Sequence, residues 1–428
     1  MSKDSKMIVL SWDAVGSRDL PFLKTLPNFG EFLERAAGCE CVSSVYPSLT
    51  YPAHSSIVSG KYPDHHRVVN NFQLQPKRVP SDWFWQRKYI QGETFYEQAQ
   101  KSGKKVAALL WPVTGKARIS YNLPEVLPNR PWQNQILVSM LNGTVGYELY
   151  LNNKFGHLRD GVKQPNLDNF VHESALETLR KYQPDVMLVH LTDVDTHRHH
   201  FGVSGMEITK ALERHDRRLG ELTALLKKLG RFDDTNLIIL GDHCQMDVSK
   251  VMYPNFELVN RGYVELKDDR VVSWRAIARE CDGACYIYVK DPELLPEIRG
   301  VLEEMKTAGA WGIERIFTGA EAGALGADSQ CAFMLEAAEG CYFQNDWKIP
   351  YAQAGSDDAP ETMQAATHGY LPDKQDYQTI FFGAGPDFLP GARAEQMCLV
   401  DEGPTLAKIL GTKLADTDGH ILENLLRK

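Results

Sequence analysis

The stretch 185-DVMLVHLTDVDTHRHH-200 divides into two halves. Val186 to Leu191 is a short, mostly apolar run of strand length, well below what a membrane span needs. Directly after it come two carboxylates, Asp193 and Asp195, and three imidazoles, His197, His199 and His200. A strand apolar on both faces belongs inside a parallel sheet covered by helices on both sides. In open sheets of that kind, functional side chains gather at the carboxyl ends of the strands.

The same arrangement recurs along the chain. Asp13 follows the strand MIVLSW (7–12), and Asp242 and His243 follow NLIIL (236–240). Thr50 comes a few residues after the strand CVSSVY (41–46), and His368 lies in a loop, in ATHGY. Further strands read as KVAALLW (105–111) and QTIFFG (378–383). Helical patterns separate them: NFGEFLERAA (28–37), GETFYEQAQKSG (92–103) and NFVHESALETLRKY (169–182). Strands alternating with helices predict an α/β fold with a mostly parallel sheet. From 206 to 229, Ile208, Leu212, His215, Leu219, Leu222, Leu226 and Leu229 draw one apolar stripe of a helix, which makes His215 a packing residue rather than a ligand. Between 256 and 361 the alternation weakens, and ACYIYV (284–289), PELLPEIRGVLEEM (292–305) and CAFMLEAA (331–338) predict a smaller α+β cap. The expected organisation is a catalytic core over 1–255 and 362–428 with that cap inserted.

Composition narrows the function. The 428 residues carry a net charge of −9 with no basic run, which argues against a nucleic-acid partner. No apolar stretch reaches membrane-spanning length, so no membrane partner is expected. The start, MSKDSKMIVLSWD, has too few apolar residues for a secretion signal, and a cytoplasmic location is the expectation. The eight cysteines include no CxxC pair and read as reduced thiols. Nothing in the sequence indicates an oligomeric state.

Each polar residue singled out has an ordinary role when taken alone. Asp13 suits a turn or a helix cap, GDH a turn, DVDTHRHH a solvated loop, and Thr50 the cap of a helix over YPAHSS. Together, three Asp and three His at strand ends or in adjacent loops divide into two sets of three plus one shared hydroxyl. That is the ligand count of two zinc-type sites, each with an open position. Three histidines favour zinc over magnesium, with manganese as the alternative. A hydroxyl between two cations about 3.5–4 Å apart would ionise near neutral pH, and a helix N-terminus would favour the alkoxide.

Asp13 after the first strand, PSLTYPAH around Thr50, NN at 70–71, DVDTHRHHFG, GDH and THGY occur in one order over nearly the whole chain. This set resembles the nucleotide pyrophosphatase/phosphodiesterase branch of the alkaline phosphatase superfamily. The resemblance implies an alkaline-phosphatase-like fold in which Asp13, Asp242 and His243 hold one metal ion and Asp195, His199 and His368 the other. Thr50 would be the nucleophile touching both, and Asn71 a donor to a phosphoryl oxygen. The family's Asp-x-x-Gly-His carries Arg198 at the glycine position, which leaves His197, His200 and Asp193 as rival ligands. Asp195 and His199 are preferred because that pair keeps the four-residue spacing and the glycine three residues on, Gly202. Sulfatases would place Cys or Ser at the nucleophile, and phosphomonoesterases pair Ser with a nearby Arg. No arginine adjoins Thr50 in sequence, which points to diesters. The implied reaction is hydrolysis of a small phosphorylated substrate, a nucleotide among the candidates, through a phospho-threonyl intermediate. Competing readings are a phosphonate hydrolase of phosphonoacetate type, a metal-dependent phosphomonoesterase or phosphomutase, and a non-catalytic metal-binding protein. Trp83, Phe84, Trp85 and Trp111 are expected near the substrate's organic half, with core packing as the equal alternative.

Overall fold

In the computed structural model, which describes residues 5–428, the strand after Ser5 lies at the centre of an eight-stranded sheet. The strands are β1 (Lys6–Trp12), β2 (Ala37–Ser43), β3 (Val106–Leu109), β4 (Tyr121–Leu123), β5 (Val186–Leu191), β6 (Thr235–Leu240), β7 (Thr379–Ala384) and β8 (Met397–Cys398). Their order is β8-β2-β7-β6-β1-β5-β3-β4. Val9 of β1 sits between Leu188 of β5 and Ile238 of β6, all three strands parallel. Only β7 runs against its neighbours, β2 and β6.

Alternate residues of the central strands feed two separate cores. Met7, Val9, Val186, Leu188, Ile238 and Leu240 pack on one face with Ile57, Phe95 and Leu406, from α2 (Thr50–Ser59), α3 (Phe95–Lys101) and α7 (Glu402–Ile409). Ile8, Leu10, Met187, Val189, Leu237 and Ile239 pack on the other with Phe29, Leu176 and Leu219, from α1 (Pro27–Arg35), α4 (Asn166–Lys181) and α6 (Met206–Lys228). Both faces are therefore dry, as an unbroken apolar strand requires. The architecture is alkaline-phosphatase-like: a mostly parallel sheet with helices on both faces. His215 lies fully buried on α6, its ring stacked on Trp12 at 5.1 Å.

Three local expectations shift. The strand expected at 41–46 lies at Ala37–Ser43, because Cys39 and Val42 pair with β7 while Pro47, lacking an N–H, takes the chain out of the sheet. DVDTHRHH is not a loop but the helix α5 (Asp193–Phe201). The edge strands β4 and β8, three and two residues long, were too short to leave a periodic pattern.

After β6 the chain leaves the large sheet and rejoins it at β7. Between them stands a four-stranded sheet ordered Ala276–Cys281, Ala284–Val289, Phe333–Ala337, Ile313–Thr318, with the helix Leu295–Thr307 packed against it. A second small sheet forms around Met246–Met252, which pairs with Gly340–Phe343, Tyr351–Gln353 and, at its start, Ala366–Thr367. The pairing of Thr367 with Met246 returns His368 to the carboxyl end of β6.

Candidate active site

Each strand end delivers its polar residue to one place. Asp13 follows β1, held by its backbone N–H on the Leu191 carbonyl of β5 (3.0 Å). Ala14 turns with φ +61°, so that its N–H donates to Asp242 Oδ1 at 3.1 Å. Within α5, Asp195 and His199 stand one turn apart on one face, Nε2 to Oδ1 3.4 Å. Gln245 donates to the same Asp195 oxygen at 2.5 Å, and His199 Nδ1–H donates to the Ala366 carbonyl at 2.9 Å, which leaves Nε2 free. Gly202, at φ +91°, ends α5 where any Cβ would lie 2.9 Å from an Asp247 oxygen.

Thr50 is the first residue of α2, and Leu49, not Thr50, is the cap residue. The capping acceptor comes from elsewhere: Asn71 Oδ1 accepts the Tyr51 N–H at 2.9 Å. That bond fixes the Asn71 amide, leaving its Nδ2 donors to face the cavity that both residues line. Thr50 Oγ1 is free of backbone duty and lies 3.1 Å from His243 Nε2.

The candidate ligands form two groups, Asp13–Asp242–His243 and Asp195–His199–His368, the ligand atoms in each within 4.8 Å of one another. His243 Nε2 is 3.3 Å from both Asp13 Oδ1 and Asp242 Oδ2. Ligands about 2.0–2.1 Å from a tetrahedral ion stand about 3.3 Å apart, so the donor set fits zinc. Asp13 Oδ1, Asp242 Oδ2 and His368 Nδ1 are buried without a hydrogen-bond partner among the described residues, as donors reserved for another group would be. Burial, then Asp195 and Asp242, pushes the Asp13 carboxyl far up. Against the penalty of burial, Asp195 draws His199 up to about 9. The Asp13 shift is chiefly a cost of burial, with the nearby carboxylates adding to it, whereas the His199 shift records the attraction of Asp195.

The rivals are placed elsewhere. Asp193 is clamped by Arg214 (2.7 and 2.8 Å) and Arg218 (3.2 Å) on α6. His197 donates to the Asp193 carbonyl and His200 to the Thr196 carbonyl, both within their own helix. Arg198 is fully buried: it donates to the Ala14 carbonyl, to Asp19 Oδ1 at 2.5 Å and to the Val203 carbonyl at 3.2 Å.

Behind the ligands stand two imidazoles held neutral. His54 donates from Nδ1 to the Thr50 carbonyl (2.8 Å) and accepts from Ser11 Oγ (2.9 Å). His190 Nε2 is 3.2 Å from Asp13 Oδ2. Burial lowers both to about 3. His190, Gln245, Ala14 and Glu125 escaped the sequence reading. His190 is hidden inside an apolar strand, and Gln245, two residues past His243, carried the only visible signal.

The site opens into a cavity of about 710 Å³ that includes Asp13, Thr50, Asn71, Asp195, His199 and His368. Its far walls are largely apolar: Trp83, Leu123, Val126, Ile136 and Phe170, with Glu125 among them. Burial, then Asp195 and Asp242, raises Glu125 to about 8. Of the four aromatic residues expected there, only Trp83 lines the cavity; Trp111 is buried against His54, centroids 4.9 Å apart.

Comparison with known proteins agrees with this frame. Venom phosphodiesterases 1 and 2 of Crotalus adamanteus are each 35% identical over 74 residues, which is 17% of this chain and 9% of theirs. Murine ectonucleotide pyrophosphatase/phosphodiesterase 5 superposes with a TM-score of 0.68 at 19% identity, covering 99% of this chain and 100% of that one. An inactive variant of the murine protein, in complex with AMP, gives 0.69 at 19% identity, and the human protein 0.70 at 18%, each with the same coverage. These likenesses carry the fold. The family model for type I phosphodiesterase / nucleotide pyrophosphatase matches residues 7–371, and the chain belongs to that family.

Proposed function

We propose that this protein is a phosphodiesterase or nucleotide pyrophosphatase that works through a phospho-threonyl intermediate on Thr50. The observation that carries the reading is the position of Thr50 Oγ1, 3.1 Å from His243 Nε2 at the first turn of α2, in a cavity shared with Asp13, Asp195, His199 and His368. Asp13, Asp242 and His243 would hold one divalent cation and Asp195, His199 and His368 a second, with zinc favoured. Bound there, such ions supply Lewis-acid charge and lower the pKa of an oxygen they touch.

The chain's own residues do the rest. Thr50 Oγ gives up its proton to solvent and forms a bond to phosphorus, while the ester P–O bond breaks and the leaving oxygen takes the electron pair and a solvent proton. The N-terminus of α2 favours the anionic Thr50 oxygen. Asn71 Nδ2 donates to a non-bridging oxygen, a contribution of about 3 kcal/mol for preorganised donors of this kind. Water then opens the phospho-threonyl ester and returns a proton to Thr50 Oγ. Among the described residues, the one arginine or lysine in the cavity lining, Arg159, stacks on Phe170, and no arginine adjoins Thr50 in sequence, which fits a diester better than a monoester.

A second reading, phosphonate hydrolysis, is favoured by Arg159, which lines the same cavity with its guanidinium 4.5 Å over the Phe170 ring and, among the described residues, no carboxylate paired to it. Metal-loaded protein offered bis-p-nitrophenyl phosphate, p-nitrophenyl phosphate, a dinucleotide and phosphonoacetate separates the readings. Diester cleavage should dominate and vanish in Thr50→Ala. Faster cleavage of phosphonoacetate selects the second reading, and no turnover at all selects a binding protein.

A further inference from the structure

A second cavity, about 400 Å³, adjoins the first. It shares Asn71, Trp83, His199 and His368 with the larger cavity, but neither Asp13 nor Thr50 lines it. Thr50 stands beside the Asp13–Asp242–His243 group, so an in-line attack expels the opposite oxygen towards His199 and His368. The smaller cavity lies beyond those two histidines and is the natural exit for the departing alcohol. The larger cavity, which contains the nucleophile, is left for the ester group that stays on phosphorus.

The two cavities differ in chemistry. The larger has mostly apolar walls, with Glu125 and Arg159 among them; the smaller presents Glu280, Asp282, Gln344, Asn345, Gln364 and Asn70, and among the described residues no Lys or Arg lines it. Arg279 is next to Glu280 but lines an adjoining hollow, and its charge is answered by Glu280 Oε1 at 3.2 Å. Glu280 Oε2 and Gln364 Oε1 are buried without hydrogen-bond partners. Asn70 Oδ1 and Asn345 Oδ1 are engaged by the Phe72 N–H and the Asn255 amide. Glu280, Asp282, Gln344 and Gln364 are therefore the groups left to match hydroxyl donors, and the two carboxylates repel anions.

Resting on the phosphodiesterase reading, we infer that the group released is an uncharged polyhydroxylated alcohol, glycerol- or sugar-like, and not pyrophosphate. The natural substrate is then an unsymmetrical phosphodiester, with its bulky apolar or aromatic substituent retained and its polyol expelled.

The test uses esters that share one retained group, thymidine 5′-phosphate, and differ in what leaves: glycerol, choline, p-nitrophenol, or pyrophosphate as thymidine 5′-triphosphate. Wild-type kcat/KM should favour the glycerol ester over the triphosphate by at least about tenfold, although pyrophosphate is the better leaving group. Glu280→Gln removes the carboxylate charge and unmasks Arg279, so the ratio of glycerol ester to triphosphate should fall about tenfold, mostly through KM. Equal or faster cleavage of the triphosphate by the wild type overturns the inference, as does an unchanged ratio in folded Glu280→Gln. Preference for the choline ester overturns the polyol assignment. Failure to cleave even the p-nitrophenyl ester would instead strike the phosphodiesterase reading beneath it.

Discussion

At the scale of single residues, the site assigns two jobs to one amide. Asn71 Oδ1 anchors the first turn of α2 through Tyr51, and in the proposed reaction Nδ2 would serve the substrate. Asn71→Asp keeps the acceptor and loses the donor. It should unfold within about 0.5 kcal/mol of wild type, with diester kcat/KM reduced about 100-fold or more. Chemical denaturation read beside initial rates checks both halves; equal rates would remove Asn71 from the chemistry. His368→Ala should lower bound zinc to about one equivalent per chain in elemental analysis, because Asp195 and His199 alone make a weak site. The spacing of Asp195, His199 and Gly202 singled out two of five neighbouring candidates, and those two stand with His368, their polar atoms within 4.8 Å of one another. The supporting residues were not legible, because what makes His190 or Ala14 matter is a contact across the sheet.

At the scale of elements, Arg198 explains how α5 tolerates a long side chain where glycine was expected. The guanidinium ties α5 to the turn after β1, whose Ala14 N–H orients Asp242, and so bridges the two ligand groups. Arg198→Ala leaves Asp19 buried and unpaired, and should cost about 3–5 kcal/mol in urea unfolding while weakening metal binding. A loss below about 1 kcal/mol would make the clamp ornamental. A different helix, Val145–Phe155, buries Glu148, which burial raises from 4.5 to about 7. The folded state then holds a proton that the unfolded chain has lost, so stability falls as pH rises from about 4.5 to about 7 and levels off above. Glu148→Gln should be near neutral at pH 5 and stabilising by on the order of 1 kcal/mol at pH 8, visible in paired melting curves. The long elements, β1, β5, β6, α4 and α6, were readable because burial on both faces or on one stripe imprints a period. The edge strands and the start of β2 were not, since pairing with β7 rather than local pattern decides them.

At the scale of the whole molecule, the fold brings together side chains spread from residue 13 to residue 368. The sheet order does most of this, placing the ends of β5, β1 and β6 side by side. His368 is the exception: it reaches the site only because Ala366–Thr367 pairs with Met246–Asp247 on the way back to β7, a tertiary pairing that no sequence periodicity announces. Converging carboxylates make the metal-free protein pay electrostatically, so zinc should raise its melting temperature by several degrees and chelation should reverse the gain, following mass action. A melting curve indifferent to zinc would speak against filled sites. The most direct measurement is an anomalous difference map collected at the zinc edge from crystals grown with zinc. Two peaks should flank Thr50, one within Asp13, Asp242 and His243 and one within Asp195, His199 and His368. Zinc found only elsewhere, or a single peak ligated by His197, His200 or Asp193, would contradict it.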